Sequence, residues 1–161
     1  MKVCRDDIFL WLDAVKDPEI PVLSLPDLGI IKNIEIYDNG GARITITPTF
    51  VGCPALDLMK AEIIETLMAK GLPEVNVEVS YKEPWTSDDI SQSGRKALAG
   101  FGLAPPPNSA LFTDLDILEH VKCPRCEGQN TELRTIFGST LCRSIHYCHD
   151  CRESFEQFKP V

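Results

Sequence analysis

The chain has 161 residues, 43% of them hydrophobic and 25% charged, with 24 acidic against 16 basic side chains. That length admits one domain, or one plus a small module, with the composition of an ordinary globular protein. No apolar run approaches the roughly 20 residues of a membrane span, and the acid surplus leaves no clustered cations for phosphate neutralisation, so neither a membrane nor a nucleic acid is an expected partner.

The first residues, Met1-Lys2-Val3-Cys4-Arg5-Asp6-Asp7, reach acid too quickly for a secretory signal, and a cytoplasmic location is expected. Residues 6–16 read as a helix capped by Asp6 or Asp7, with Ile8, Trp11, Leu12 and Val15 on one stripe. Asp17-Pro18-Glu19-Ile20-Pro21 ends it, because a residue before proline resists the helical conformation. A long loop then carries Asp17, Glu19 and Asp27. Residues 30–37 predict a strand, Asp38-Asn39-Gly40-Gly41 a hairpin turn, and 42–47 the returning strand, with Ile44 and Ile46 on one face.

Thr47-Pro48-Thr49-Phe50-Val51-Gly52-Cys53-Pro54-Ala55 joins that strand to a helix over about 54–69, where Ala55, Met59, Ile63 and Leu67 recur every four residues. Lys70-Gly71 closes the helix. A third strand follows at 75–81, so the first part is an α+β fold, a small αββαβ sandwich. Ser87 is the expected cap of a short helix near 88–99, Trp85 is an apolar anchor or a docking hot spot, and Ala104-Pro105-Pro106-Pro107-Asn108-Ser109 is a linker or stiff arm.

Charge is uneven. Residues 1–119 hold 10 Lys/Arg and 19 Asp/Glu, a net of −9, and residues 120–161 hold 6 and 5, a net of +1. The seven cysteines are an odd number, and four fall in two C-x-x-C pairs, Cys123/Cys126 and Cys148/Cys151, with 21 residues between the pairs. That spacing suits one tetrahedral metal site better than a disulfide framework. The strand-like runs 131–137 and 139–147, broken at Gly138, complete the pattern of a Cys4 zinc ribbon, with iron as the alternative ion. About 40 residues cannot bury enough surface to fold unaided, so the metal supplies stability. His149 lies inside the second knuckle but four thiols already satisfy the geometry, and Cys142, read as mid-strand, has no ligand spacing.

Cys53 admits three readings. At a helix start the dipole favours thiolate. As a nucleophile it would need a histidine, and all three (His120, His146 and His149) lie in the tail. As a transient iron or iron–sulfur cluster ligand it would need Asp17, Glu19 and Asp27 on the same sheet edge. As a turn residue it would do no chemistry.

Asp17-Pro18-Glu19-Ile20-Pro21, Asp27-Leu28-Gly29, the Thr47–Pro54 stretch and Pro84-Trp85-Thr86 resemble the SufT-like domain associated with iron–sulfur cluster assembly. With Gly94-Arg95, Gly102-Leu103-Ala104-Pro105-Pro106 and the tail containing Phe137-Gly138-Ser139-Thr140, the whole chain resembles the PaaD family of the phenylacetyl-CoA epoxidase (ring 1,2-oxygenase) system. The resemblance implies a SufT-like domain at 1–103, a Pro-rich linker at 104–119 and a zinc ribbon at 120–161. It also implies a non-catalytic accessory that helps assemble an iron–sulfur or iron centre for the other epoxidase subunits, above all the iron–sulfur reductase, in aerobic phenylacetate degradation. Cys53 would be the assembly-domain cysteine. A structural subunit of the oxygenase complex and a thiol-dependent enzyme using Cys53 are the alternatives.

Overall fold

The computed structural model describes residues 3–108 and 121–160. The chain forms two compact units, Met1–Trp85 and Thr86–Val161. This division falls earlier than the boundary at 103 expected from sequence.

In the first unit, α1 spans Arg5–Leu12, α2 Leu25–Leu28, β1 Ile31–Ile36, β2 Ala42–Ile46, α3 Leu56–Ala69 and β3 Val75–Val79. The sheet order is β1-β2-β3. β1 and β2 are antiparallel, and β2 and β3 are parallel because α3 carries the chain across between them. Alternation assigns the faces as expected. Ile34, Ala42, Ile44 and Ile46 are buried with Met59, Ile63 and Leu67 of α3 and Ile8 and Leu12 of α1.

Three expectations need correction here. α1 ends at Leu12, short of 16, because the backbone leaves the helix to pair with the following loop: Asp17 N donates to Leu23 O at 2.8 Å and Leu25 N to Val15 O at 3.0 Å. Its N-cap is Cys4 rather than Asp6 or Asp7, and the Asp7 carboxylate instead accepts from the Cys4 amide at 2.9 Å. The loop expected from 17 to 28 contains α2, capped by the Ser24 hydroxyl accepting from Asp27 N and ended by Gly29 at φ 77°.

In the second unit a 3₁₀ turn, Ser87–Asp89, precedes α4, Gln92–Phe101. Ser91, not Ser87, caps α4 by accepting from Gly94 N at 2.9 Å. The side chain of Arg95 donates to the carbonyls of Ser87 and Pro106 and so holds the two ends of this segment together. β4 (Leu103–Ala104), β5 (Thr131–Thr135), β6 (Arg143–Cys148) and β7 (Ser154–Phe158) form a sheet in the order β4-β7-β6-β5. Leu103–Ala104 thus pairs with the ribbon strand β7 in parallel. Cys142 lies ahead of β6 on the 136–142 connection, not mid-strand, and its sulfur is 3.1 Å from the Thr140 hydroxyl. His120 and the bridging segment expected before it lie outside the described residues.

Candidate functional site

The two C-x-x-C turns of the second unit fold alike. Cys123 N donates to Gly128 O and Cys148 N to Glu153 O, both at 2.9 Å. The residue after the second cysteine is left-handed in each, Glu127 at φ 63° and Arg152 at φ 62°. Neither is glycine, so spacing in the sequence carried no hint of these positions. Gly128 lies against Asp150 of the other knuckle, and a side chain there would run into that carboxylate.

This geometry brings Cys123, Cys126, Cys148 and Cys151 together, with all four sulfurs within 4.8 Å of one another. The Cys123–Cys151 and Cys126–Cys148 sulfurs are 3.8 and 3.6 Å apart. A tetrahedron of ~2.3 Å zinc–sulfur bonds sets its sulfurs about 3.8 Å apart, so the group fits the ion. Gly128 N donates to Cys126 Sγ at 3.4 Å, a bond that favours the thiolate. Cys123 and Cys148 are buried, Cys151 is half-buried and Cys126 is exposed. His149 turns away, its Nε2 2.7 Å from Glu132 Oε2. Burial pushes His146 of β6 down to about 4, so it stays neutral, with Nε2 3.0 Å from the Ser144 hydroxyl. A set of four thiols with no open position holds a metal structurally and leaves no place for a substrate.

Cys53 lies two residues before Ala55, the N-cap of α3, and follows Gly52 at φ 84°. It is half-buried. The Ala55 and Leu56 amides favour the thiolate, but they do not win. Burial pushes the thiol up, and the carboxylates of Asp17 and Glu19 push it further. The helix-start argument therefore gave the wrong direction. It counted the dipole and left out the burial of the sulfur, to which the two acids add.

Asp17 also organises its own turn, its Oδ1 accepting from Glu19 N at 2.8 Å and Ile20 N at 2.9 Å. Asp27 lies on α2, and its amide serves the Ser24 cap. Among the described residues, the four ribbon cysteines are the only group of three or more His, Cys, Asp or Glu with ligand atoms within 4.8 Å of one another. Cys53, Asp17, Glu19 and Asp27 do not form such a group. One measurement follows. At neutral pH Cys53 should react with iodoacetamide more slowly than a free thiol. Asp17→Asn, which keeps the turn acceptor and removes the charge, should speed the reaction several-fold. Equal rates would mean that the carboxylate does not act on the sulfur.

Among the described residues no helix is long and apolar enough to cross a membrane. Residues 5–80 match the family described as iron-sulfur cluster assembly protein, and residues 108–159 match the PaaD zinc beta ribbon domain. An Escherichia coli (strain K12) protein, provisionally named as one of the subunits of 1,2-phenylacetyl-CoA epoxidase, is 36% identical over 155 residues, covering 96% of this chain and 92% of that one. A Porphyromonas gingivalis protein named Fe-S protein maturation auxiliary factor is 33% identical over 89 residues, 55% of this chain and 84% of its own. A solved structure from Bacillus anthracis, a domain of unknown function of the DUF59 type, superposes with a TM-score of 0.55 at 27% identity, covering 58% of this chain and 89% of that one. An accessory role accords with these families. The four-thiol ribbon and the full-length match together place this chain in the PaaD family, as an iron–sulfur assembly domain followed by a PaaD zinc ribbon.

Proposed function

We propose that the protein is a non-catalytic maturation factor of the phenylacetyl-CoA epoxidase system, serving an iron–sulfur or iron centre of a partner protein, with the iron–sulfur reductase as first candidate. The observation that carries this reading is the environment of Cys53. Burial and, after it, the negative field of Asp17 and Glu19 hold its thiol protonated in the absence of a cation. An arriving iron ion or cluster, as cargo, is attracted by the same field and displaces the proton from sulfur. One thiol with two carboxylates nearby is an incomplete ligand set, and an incomplete set releases its cargo to a client that offers more thiolates. Asp27, on α2, is the third acid of this proposed surface. The zinc of the ribbon stays outside the transfer and holds the second unit folded.

The test is to produce the reductase alone, with this protein, and with its Cys53→Ala variant, and to measure iron and acid-labile sulfide per reductase. Co-production should raise cluster content, and Cys53→Ala should return it to the level without the protein. Equal content in all three would overturn the proposal. One second reading, a structural component of the oxygenase complex, is favoured by the Escherichia coli relative, whose name makes it part of an epoxidase. That reading expects stable co-purification with the complex and indifference to Cys53→Ser. A thiol-dependent enzyme is disfavoured by the raised Cys53 thiol and the absence of histidine from residues 1–119.

A further inference from the structure

The connection between β5 and β6 carries three exposed apolar side chains: Ile136 (46% exposed), Phe137 (66%) and Leu141 (60%). A loop tip of this kind would ordinarily fold its apolar groups inward or be polar. Here the backbone is tied down in a way that holds them out. Gly138 N donates to Arg143 O at 2.9 Å, Phe137 N to the Thr135 hydroxyl at 3.1 Å, and Ser139 N to Glu156 Oε1 at 2.8 Å. Arg143, mostly buried, bridges Ser139 Oγ and Glu156. A Cβ at Gly138 would lie 2.9 Å from Arg143 Cβ, so the chain passes too closely there for any side chain. Ordering entropy is thus already spent before any partner arrives, as in a pre-organised hot spot.

The rim is cationic. Residues 133–149 include Arg134 and Arg143 and no aspartate or glutamate. Glu132 and Glu156 reach in to pair with these two arginines. Lys159 donates to the neutral carbonyl of Ile136, which leaves its charge uncancelled and the rim with a positive surplus. A second copy of this chain fits poorly. Tip against tip sets like charges together. Tip against the acidic residues 1–119 of another copy is a head-to-tail contact, which leads to rings or filaments and not to a two-fold dimer.

We infer that the β5–β6 tip is a docking surface for a different protein, one that presents an apolar cleft edged by carboxylates, with Phe137 as the anchor. The tip belongs to the second unit and Cys53 to the first, and the test does not depend on what Cys53 carries.

A photo-crosslinking phenylalanine analogue, p-benzoylphenylalanine, is placed at Phe137 of the full chain in the native host, with the same analogue at exposed Lys70 as control and at Leu141 as a second reporter. Irradiation should give one adduct from positions 137 and 141 and none from 70, with a partner of acidic isoelectric point. The double change Arg134→Gln/Lys159→Glu should cut the adduct yield about tenfold without loss of bound zinc. Cys53→Ala should leave the yield unchanged, so a failure of the iron-transfer reading is recorded separately. No adduct above the control, an adduct with a second copy or with a basic protein, or a yield untouched by the charge changes would overturn the inference.

Discussion

Cys148→Ser is expected to abolish zinc binding and unfold the ribbon strands while residues 3–85 stay folded. Around the knuckles the second unit buries a small apolar cluster, Ala104, Val121, Cys123, Cys148 and Phe155, and two of those five residues are the thiols themselves. The metal set and the core are therefore the same place. A ribbon of about 40 residues does not fold on apolar burial alone. Structural zinc contributes roughly 10–16 kcal/mol in isolated zinc-finger peptides at neutral pH, far more than such a cluster can replace. Serine keeps the volume but supplies a hard, poorly ionised oxygen in place of a thiolate. Metal analysis should fall from about one zinc per chain toward zero, and amides of β5–β7 should lose protection from exchange. Cys142→Ser is the control, since its sulfur contacts Thr140 and lies outside the four-thiol group, and zinc should be retained. Acid should act like the ligand change. Zinc holds the folded thiols ionised well below the range in which free thiols lose their protons, so its contribution is present at neutral pH and disappears as protons compete for sulfur. A ribbon that stays protected after Cys148→Ser, or after chelation, would show that the apolar cluster suffices.

The parts of this molecule readable in the sequence are those fixed by short-range periodicity. Alternation along 42–47 put Ile44 and Ile46 inward, and four-residue recurrence put Met59, Ile63 and Leu67 on the buried face of α3. The cysteine spacing predicted a metal group because a knuckle is local. Features made by distant segments escaped. β4 is two residues long and exists because β7 lies beside it, and β7 was not expected because its Ser-Phe-Glu-Gln-Phe run follows directly on a knuckle. α1 stops early because residues 15–17 find backbone partners near residue 24, a choice invisible to a helical stripe. The thiol of Cys53 is raised first by burial and then by Asp17 and Glu19, more than thirty positions upstream, and only the fold buries it and sets those acids beside it. The sequence marks the same two acids as prospective ligands. In the fold their effects are a turn and an electric field.

Trp85→Ala should destabilise the first unit by roughly 3–5 kcal/mol, the range for removing a large buried aromatic. The indole is 2% exposed, which decides for the anchor against the docking hot spot. Its Nε1 donates to the carbonyl of Leu28 at 2.8 Å. That carbonyl sits at the C-terminal end of α2, where helix carbonyls lack partners of their own, and Gly29 in the left-handed region turns the chain away from it. Alanine would leave both a cavity and an unpaired carbonyl in the interior. Trp85→Phe separates the two effects: it keeps most of the volume and loses the donor, and should cost about 1–3 kcal/mol. Far-UV circular dichroism in urea, following the full chain with zinc bound, gives both values. Exchange of the amides near Leu28 reports the same loss locally. The consequence reaches the proposed site because the segment that α2 closes, residues 17–28, carries Asp17 and Glu19. If that segment loosens, the two carboxylates lose their fixed distance from Cys53, and alkylation of Cys53 should quicken in Trp85→Ala even where the unit remains folded. A cost under about 1 kcal/mol for alanine, or unchanged Cys53 reactivity, would mean that the 17–28 segment holds its place without the indole.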